Sequence, residues 1–286
     1  MLDLLTSPLF IRSMLAALLV GLAAPIVGAY LVNRRLSMLG DGIGHVALTG
    51  VAVGWLVGSL AHLVPIDILA VPGALVASLG AAITIELVRR SGRTSADVIL
   101  AILFYGGIAT GVVVIGIAGG TSTQLNSYLF GSLATVSWAD LILIGAMALL
   151  IYIFGVGLRS ALFAATSDED FATASGLPVD GLSMLVAVMS AATVAVSMRV
   201  VGALLVSALM IVPIAITQMF ARSFRSTMAV GSILGAILCV AGLLITYQID
   251  VSPGATIVVL AVTVYAVLFA AKTWVEKLRP AHDIHA

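Results

Sequence analysis

Residues 33–51 read Asn33-Arg34-Arg35-Leu36-Ser37-Met38-Leu39-Gly40-Asp41-Gly42-Ile43-Gly44-His45-Val46-Ala47-Leu48-Thr49-Gly50-Val51. Two arginines close one long apolar run, and a second apolar run opens around an acid and an imidazole. Asp41 and His45 are four residues apart, so on a helix they share a face with Cβ atoms about 5–6 Å apart. An aspartate inside a membrane span costs roughly 2.5–3.5 kcal/mol on insertion scales. Such a residue therefore marks a pathway or a binding site. One carboxylate and one imidazole on a shared face could hold a divalent metal.

The rest of the chain sets the solvent for that pair. Its 286 residues are 62% hydrophobic and 9% charged, against about 25% charged in ordinary soluble domains. Too little charge remains to cover a soluble surface. The expected class is all-α, a polytopic bundle of transmembrane helices. Formal net charge is zero, so no bulk field points to nucleic acid. Cys239 stands alone and gives neither an internal disulfide nor a cysteine-rich zinc site. Met1-Leu2-Asp3-Leu4-Leu5 lacks the basic start of a cleaved signal peptide, and the apolar run continuing to Leu31 reads as a retained first span.

A helical span takes about 20 mostly apolar residues. Segments near 9–32, 42–64, 67–88, 98–119, 138–158, 179–198, 201–220, 228–247 and 254–271 meet that test. The sixth and seventh of these nine meet at Ser197-Met198-Arg199 with almost no loop, so one segment could be partial or re-entrant and the count is eight or nine. No loop has room for a soluble domain, and residues 1–286 read as one transmembrane domain. Alternating the nine places Arg34, Arg35, Arg89, Arg90, Arg93, Arg159, Arg222, Arg225, Lys272, Lys277 and Arg279 on one side, with Arg12 and Arg199 opposite. Basic residues accumulate on the cytoplasmic side, which puts the N-terminus outside and the C-terminus in the cytoplasm. Small-residue ridges at Gly50/Gly54/Gly58, Gly107/Gly111, Gly116/Gly120 and Gly231/Gly235 allow close helix approach, either for plain packing or for sliding between gate states.

The loop after the fifth span is well punctuated. Ser167 reads as a helix cap, with Asp170 three residues on as its partner. Asp168, Glu169 and Asp170 complement a positive helix end. Gly176 suits the position just past the helix and Pro178 blocks continuation. A helix of about two turns is expected within 167–177, on the basic-rich side. Alone it is too short to be stable in water. It either rests on the bundle or presents Phe171 and Leu177 to a soluble partner.

The Asp–His pair has a local alternative, in which Asp41 serves its own helix start and His45 donates to a backbone carbonyl. The glycines at 40, 42 and 44, which clear space around the pair, and the apolar surroundings favour a metal. Zinc prefers four ligands, and a twofold dimer would bring two Asp and two His together. Such a separable site suits transport, which must accept the ion without trapping it. His62 and Asp67, at the outer end of the second span, form a weaker ligand pair, with His62 otherwise an interfacial histidine. The tail His282-Asp283-Ile284-His285 has metal-binding composition. Glu86 reads as a helix-end ion pair with Arg89 and Arg90, and Asp97 and Asp140 as helix-start acids. Arg199 reads as a snorkelling cation or a dock for an acidic partner. The chain has no Gly-x-x-x-x-Gly-Lys phosphate loop and no His-Glu-x-x-His, and neither His45 nor His62 sits near a Gly-x-Ser-x-Gly elbow. A transport subunit without its own ATPase is expected, not an enzyme.

The stretch from Arg34 to Val51 resembles the zinc/manganese permeases of bacterial ATP-binding-cassette (ABC) importers, whose pattern is a basic residue, Gly-Asp-x-x-x-His, then Gly-Val. Leu125–Ser132 is similar to the family's Leu-Phe-Gly stretch, Asp168–Ala172 with Gly176-Leu177-Pro178 to its coupling-helix segment, and Val201–Val206 with Pro213 to another strong block. Ile214 follows Pro213 where the family more often has a run of alanines. The resemblance covers nearly the whole chain. It implies a permease domain of the type II importer kind in the bacterial plasma (inner) membrane. It also implies a second copy of the chain, two cytoplasmic ATP-binding subunits and an extracytoplasmic metal-binding protein. The transported ion would be Zn2+ or Mn2+, with no permanently bound cofactor. It further implies metal passage at Asp41 and His45 and ATPase coupling through Ser167, Asp168, Glu169, Asp170, Phe171, Gly176 and Leu177. A stand-alone secondary metal/proton transporter, with Asp41 as the protonation site, is the alternative.

Overall fold

A computed structural model describes residues 7–64, 66–92, 95–119, 122–132, 136–249 and 251–278; the His282–His285 tail lies outside them. In chain order the helices are α1 (Pro8–Asn33), α2 (Leu39–Leu60), α3 (Ala70–Ser91), α4 (Ala96–Ile117), α5 (Ser122–Phe130), α6 (Trp138–Ile151), α7 (Arg159–Ser167), α8 (Glu169–Ala174), α9 (Val179–Val201), α10 (Val206–Gln218), α11 (Phe224–Thr246) and α12 (Pro253–Leu278). A 3-10 turn at Ile66–Leu69 precedes α3, and a π-helical turn at Tyr152–Val156 extends α6. Local chemistry sets many of the starts. Ser7, Ser95, Ser137 and Ser223 stand in extended backbone and accept from the amide N–H groups of Phe10, Val98, Asp140 and Ser226. Each satisfies a donor that the first helical turn leaves free.

Eight of the described helices are long and apolar enough to cross a membrane. The segment expected at 201–220 differs. Gly202, at φ 94°, breaks the path, residues 202–205 are unwound, and α10 has 13 residues. Exposed irregular backbone does not persist in lipid, because its polar groups need partners. Here the partners come from α5: the Ala203 N–H donates to the Tyr128 carbonyl (2.9 Å) and the Leu204 N–H to that of Leu129 (3.2 Å). The Ser132 N–H returns a bond to Arg199 (3.1 Å). The partial-span alternative thus describes α10, whose C-cap Met219 lies in the helix-end layer opposite Arg199, and α5, which lies below span length, is the element that makes it viable.

Helix ends gather in two layers. At one, Asn33 bonds Thr166 and Ser167, Tyr30 lies on Phe224, and Lys272 donates to Met219. At the other, Phe10 meets Tyr247, Arg12 lies over Trp138, and Arg199 reaches Asp67 and Asp140. The first layer is the basic one. Helices α1 and α9 form the interior, each with 72% of its span window buried, whereas α4 and α6 bury 28% and α12 17%. Several glycine ridges pack as tightly as the sequence allows. Gly50 and Gly54 lie against the carbonyls of Gly73 and Leu69, and Gly235 lies against that of Gly21. Gly116 faces open space, so the expected Gly116/Gly120 ridge has no neighbour at its described member.

Candidate functional site

Asp41 lies in the first turn of α2, but it does not cap that helix; Met38 occupies the cap position without a side-chain bond. Its carboxylate instead accepts from the Ser207 hydroxyl. Ser207 is the second residue of α10, just past the unwound stretch, where the positive end of a helix favours an anion. A broken helix facing an acid at membrane depth is the arrangement that ion pathways use.

His45 is 4% exposed and stands edge-on to Phe104, ring centroids 4.2 Å apart. Its Nδ1 is buried and has no hydrogen-bond partner among the described residues. The local alternative of donation from Nδ1 to a carbonyl is therefore not realised. An unsatisfied buried polar atom costs about 1–3 kcal/mol, and a passing metal ion would satisfy this one. The pair sits deep: Gly107, midway along α4, would place a Cβ 2.7 Å from the His45 carbonyl carbon. Gly44 would place one 2.8 Å from the Ala203 carbonyl oxygen, Gly40 3.1 Å from the Ser207 Cβ, and Gly42 3.1 Å from Leu100. The glycines therefore bring α4, α10 and the unwound backbone up to the pair. A cavity of about 360 Å³ adjoins it, lined by Met38, Gly42, Asp97, Leu100, Phe104 and Tyr105 among others.

Among the described residues no three His, Cys, Asp or Glu side chains converge in a way that could hold a metal ion. Asp41 and His45 thus stand on this face of α2 without a third such side chain. The weaker pair is placed otherwise. His62 is exposed beyond the end of α2, and Asp67 is in an ion pair with Arg199 (3.3 Å). Arg199 also reaches Asp140 at 2.9 Å, and Asp140 in turn forms a capping box with Ser137. Two carboxylates satisfy Arg199, which corrects both sequence readings of it: it neither snorkels nor waits for an acidic partner.

The basic end carries the expected short helix, with a different start. Asp168, not Ser167, is the cap of α8. Its backbone is extended and its Oδ1 accepts from the Phe171 N–H at 2.9 Å. Ser167 is still the last residue of α7, and its hydroxyl accepts from Asn33. Asp caps a helix at least as well as Ser, so the backbone break one residue later decides the choice. The helix is six residues long, short of the expected two turns. Its end is as read: Gly176 stands at φ 78°, and the N–H groups of Gly176 and Leu177 donate to Thr173 and Ala172, closing a Schellman motif. Leu177 turns onto the core, whereas Phe171 is 66% exposed and Asp170 is exposed.

Glu169 ties this helix to the bundle through Arg34 (2.5 Å) and Arg89 (3.1 Å). Burial pushes its carboxyl up, but the two guanidiniums outweigh that and hold it below its ordinary 4.5. A carboxyl lowered on folding lends stability that is complete above the ordinary value and is lost as pH falls through the lowered one. Hydrogen-exchange protection of residues 168–177, taken relative to the unfolded rate at each pH, is thus expected to stay constant from neutrality to about pH 4.5 and to fall below it.

The comparisons with known proteins agree with this architecture. The model of the ABC 3 transport family matches residues 6–272. The manganese transport system membrane protein MntC of Halalkalibacterium halodurans is 28% identical over 258 residues, 90% of this chain and 85% of that protein. The high-affinity zinc uptake system membrane protein ZnuB of Haemophilus influenzae is 26% identical over 247 residues, 86% and 91% of the two. Among solved structures, PsaBC from Streptococcus pneumoniae in complex with Fab contains a chain similar at a TM-score of 0.81 and 29% identity, with 94% of each chain covered. The family match runs from the start of α1 into α12, through the broken helix and the Asp–His pair, and the chain belongs to the ABC 3 transport family of membrane permeases.

Proposed function

We propose that this permease imports zinc or manganese, and that Asp41 and His45 are the side chains that receive the ion. The observation that carries the reading is the buried, unpartnered Nδ1 of His45 on the same helix face as Asp41, itself held at the head of a broken helix. A carboxylate and an imidazole suit zinc, and also manganese when further oxygen ligands complete a larger shell. The two relatives described above carry manganese and zinc in their names.

Two ligands per chain call for a second copy, whose twofold axis would double the set. An extracytoplasmic binding protein delivers the ion to the outer face, where the exposed His62 is a secondary ligand and Asp67 would have to leave Arg199 to join it. The ion leaves toward the basic, cytoplasmic end through the cleft beside Gly42. Two ATP-binding subunits dock at α8, and the bundle alternates between outward and inward openings. This chain performs no covalent step. The N-terminus lies outside and the C-terminus in the cytoplasm of a bacterial plasma membrane, by the charge bias of the loops.

Co-expression with the ATP-binding subunits tests this reading. The chain is expected to purify as a complex with them and to take up metal only with ATP. Phe171→Ala, which removes an exposed aromatic from α8, is expected to weaken the complex about tenfold, the scale of a moderate interface anchor, without changing thermal stability. Uptake driven by a proton gradient in the chain alone, with no ATPase bound, would sink the proposal.

A further inference from the structure

Arg34 closes α1 seven residues before Asp41, and the metal path itself does not use it. Its side chain is 7% exposed, and its guanidinium reaches three other helices. It contacts Glu169 of α8 at 2.5 Å, Glu86 of α3 at 3.5 Å, and the Ser183 hydroxyl of α9 at 2.8 Å. The Glu86 side chain, 3% exposed, is shared with Arg89 (2.9 Å) and Arg90 (3.0 Å). Arg89 continues to Glu169 at 3.1 Å and Arg90 to Asp180 at 3.5 Å. The sequence pairs Glu86 only with the arginines of its own helix. The fold instead joins three arginines and three carboxylates into one network across α1, α3, α8 and α9. A second clamp lies beside it: the Asn33 amide donates to the Thr166 and Ser167 hydroxyls at 3.0 and 2.8 Å.

Between Arg34 and Asp41 the chain has little slack. The N–H groups of Arg34, Arg35 and Leu36 donate to Tyr30, Val32 and Leu31, and that of Leu39 to Leu36. Arg35 stands at φ 60° where such a helix end usually has glycine. That conformation is disfavoured for a residue with a Cβ, so the neighbouring bonds must hold it. A displacement of α8 would therefore reach the first turn of α2 rather than dissipate in a loop.

We propose that Arg34 is a positioning residue for transport, linking the docking helix α8 to the metal carboxylate Asp41 so that movement of one resets the other. The proposal rests on the permease reading above, in which ATP-binding subunits push α8. Exposed ion pairs contribute little, but removing one member of a buried network leaves its partners uncompensated. The link is thus sensitive to single changes.

The full chain, purified with its ATP-binding subunits and placed in vesicles, gives ATP hydrolysis and zinc or manganese uptake from one sample. Arg34→Gln is expected to assemble normally and to hydrolyse ATP within about twofold of the unsubstituted complex. It should move about tenfold fewer ions per ATP, inside the 5–150-fold span of ordinary coupling between sites. Arg34→Lys keeps the charge but not the fork that holds several partners, and should recover part of the ratio. Glu86→Gln should show the same defect, and the double variant no more than either single, because both cut one link. An unchanged ratio of ions to ATP in Arg34→Gln overturns the relay. So does a parallel fall of hydrolysis and uptake, which marks lost docking. If Arg34→Gln does not assemble, Arg34→Lys carries the same comparison. If the unsubstituted chain binds no ATPase, the permease reading fails, and the relay fails with it.

Discussion

Alanine at Asp41 or at His45 is expected to lower metal uptake by roughly 100-fold or more, in a protein that still inserts and still binds its ATPase. Loss of an outer-shell partner typically costs about 10–100-fold at metal sites, and loss of a ligand costs at least the top of that range. The structure separates this from a folding defect. Among the described residues the Asp41 carboxylate accepts from Ser207, and the His45 Nδ1 has no partner. Truncating either leaves no buried charge unpaired, so Asp41→Ala should keep its thermal stability. His45→Ala empties space beside Phe104 and should melt lower while still inserting. Ser207→Ala supplies the graded case. It keeps both ligands and removes the hydroxyl that orients Asp41, and a loss of about 10–100-fold is expected. Uptake of radiolabelled zinc and manganese into vesicles checks all three. Normal uptake by correctly inserted Asp41→Ala and His45→Ala proteins would remove the pair from the path.

The second large effect is structural. Gly202→Ala is expected to destabilise the fold by about 2–6 kcal/mol. About 1–3 kcal/mol comes from a sparsely populated backbone conformation and about 1–3 from forcing atoms into a filled space. The residue stands at φ 94°. A Cβ there would lie 2.6 Å from both the Gly131 nitrogen and the Phe130 carbonyl carbon, and against the Leu129 carbonyl oxygen. These are backbone atoms of α5 and its exit, and they cannot rotate away. Against a typical total of about 5–15 kcal/mol, the loss should show as a sharply lower melting point in detergent or as aggregation on size exclusion. Gly116→Ala, with nothing within 4 Å of its Cβ, should stay within about 1 kcal/mol of the parent, the helix-propensity difference. Equal melting of the two variants would show that the broken helix does not depend on the α5 contact.

Much of this was legible in residues 33–51. Membrane class followed from apolar length, and the placing of Asp41 and His45 on one helix from a four-residue spacing. The end of α8 was legible too, because Gly176 and Pro178 act through their own backbones. The cap was misplaced by one residue because Ser167 and Asp168 both carry capping side chains. Only the turn of the chain, helical at Ser167 and extended at Asp168, distinguishes them. Arg199 was misread because its two acids, Asp67 and Asp140, lie 132 and 59 residues away.

The sequence by itself determined what local periodicity and transfer energies can carry: a helical membrane bundle, its loop polarity, and an acid and an imidazole on one helix face. The tertiary structure decided which of those groups remain open. Ser207 turns to Asp41, α5 steadies the unwound turn at Gly202, and Arg34 gathers acids from two other helices. Each is a contact across the bundle. The local pattern of either partner is compatible with many neighbours, and close packing in three dimensions selects one.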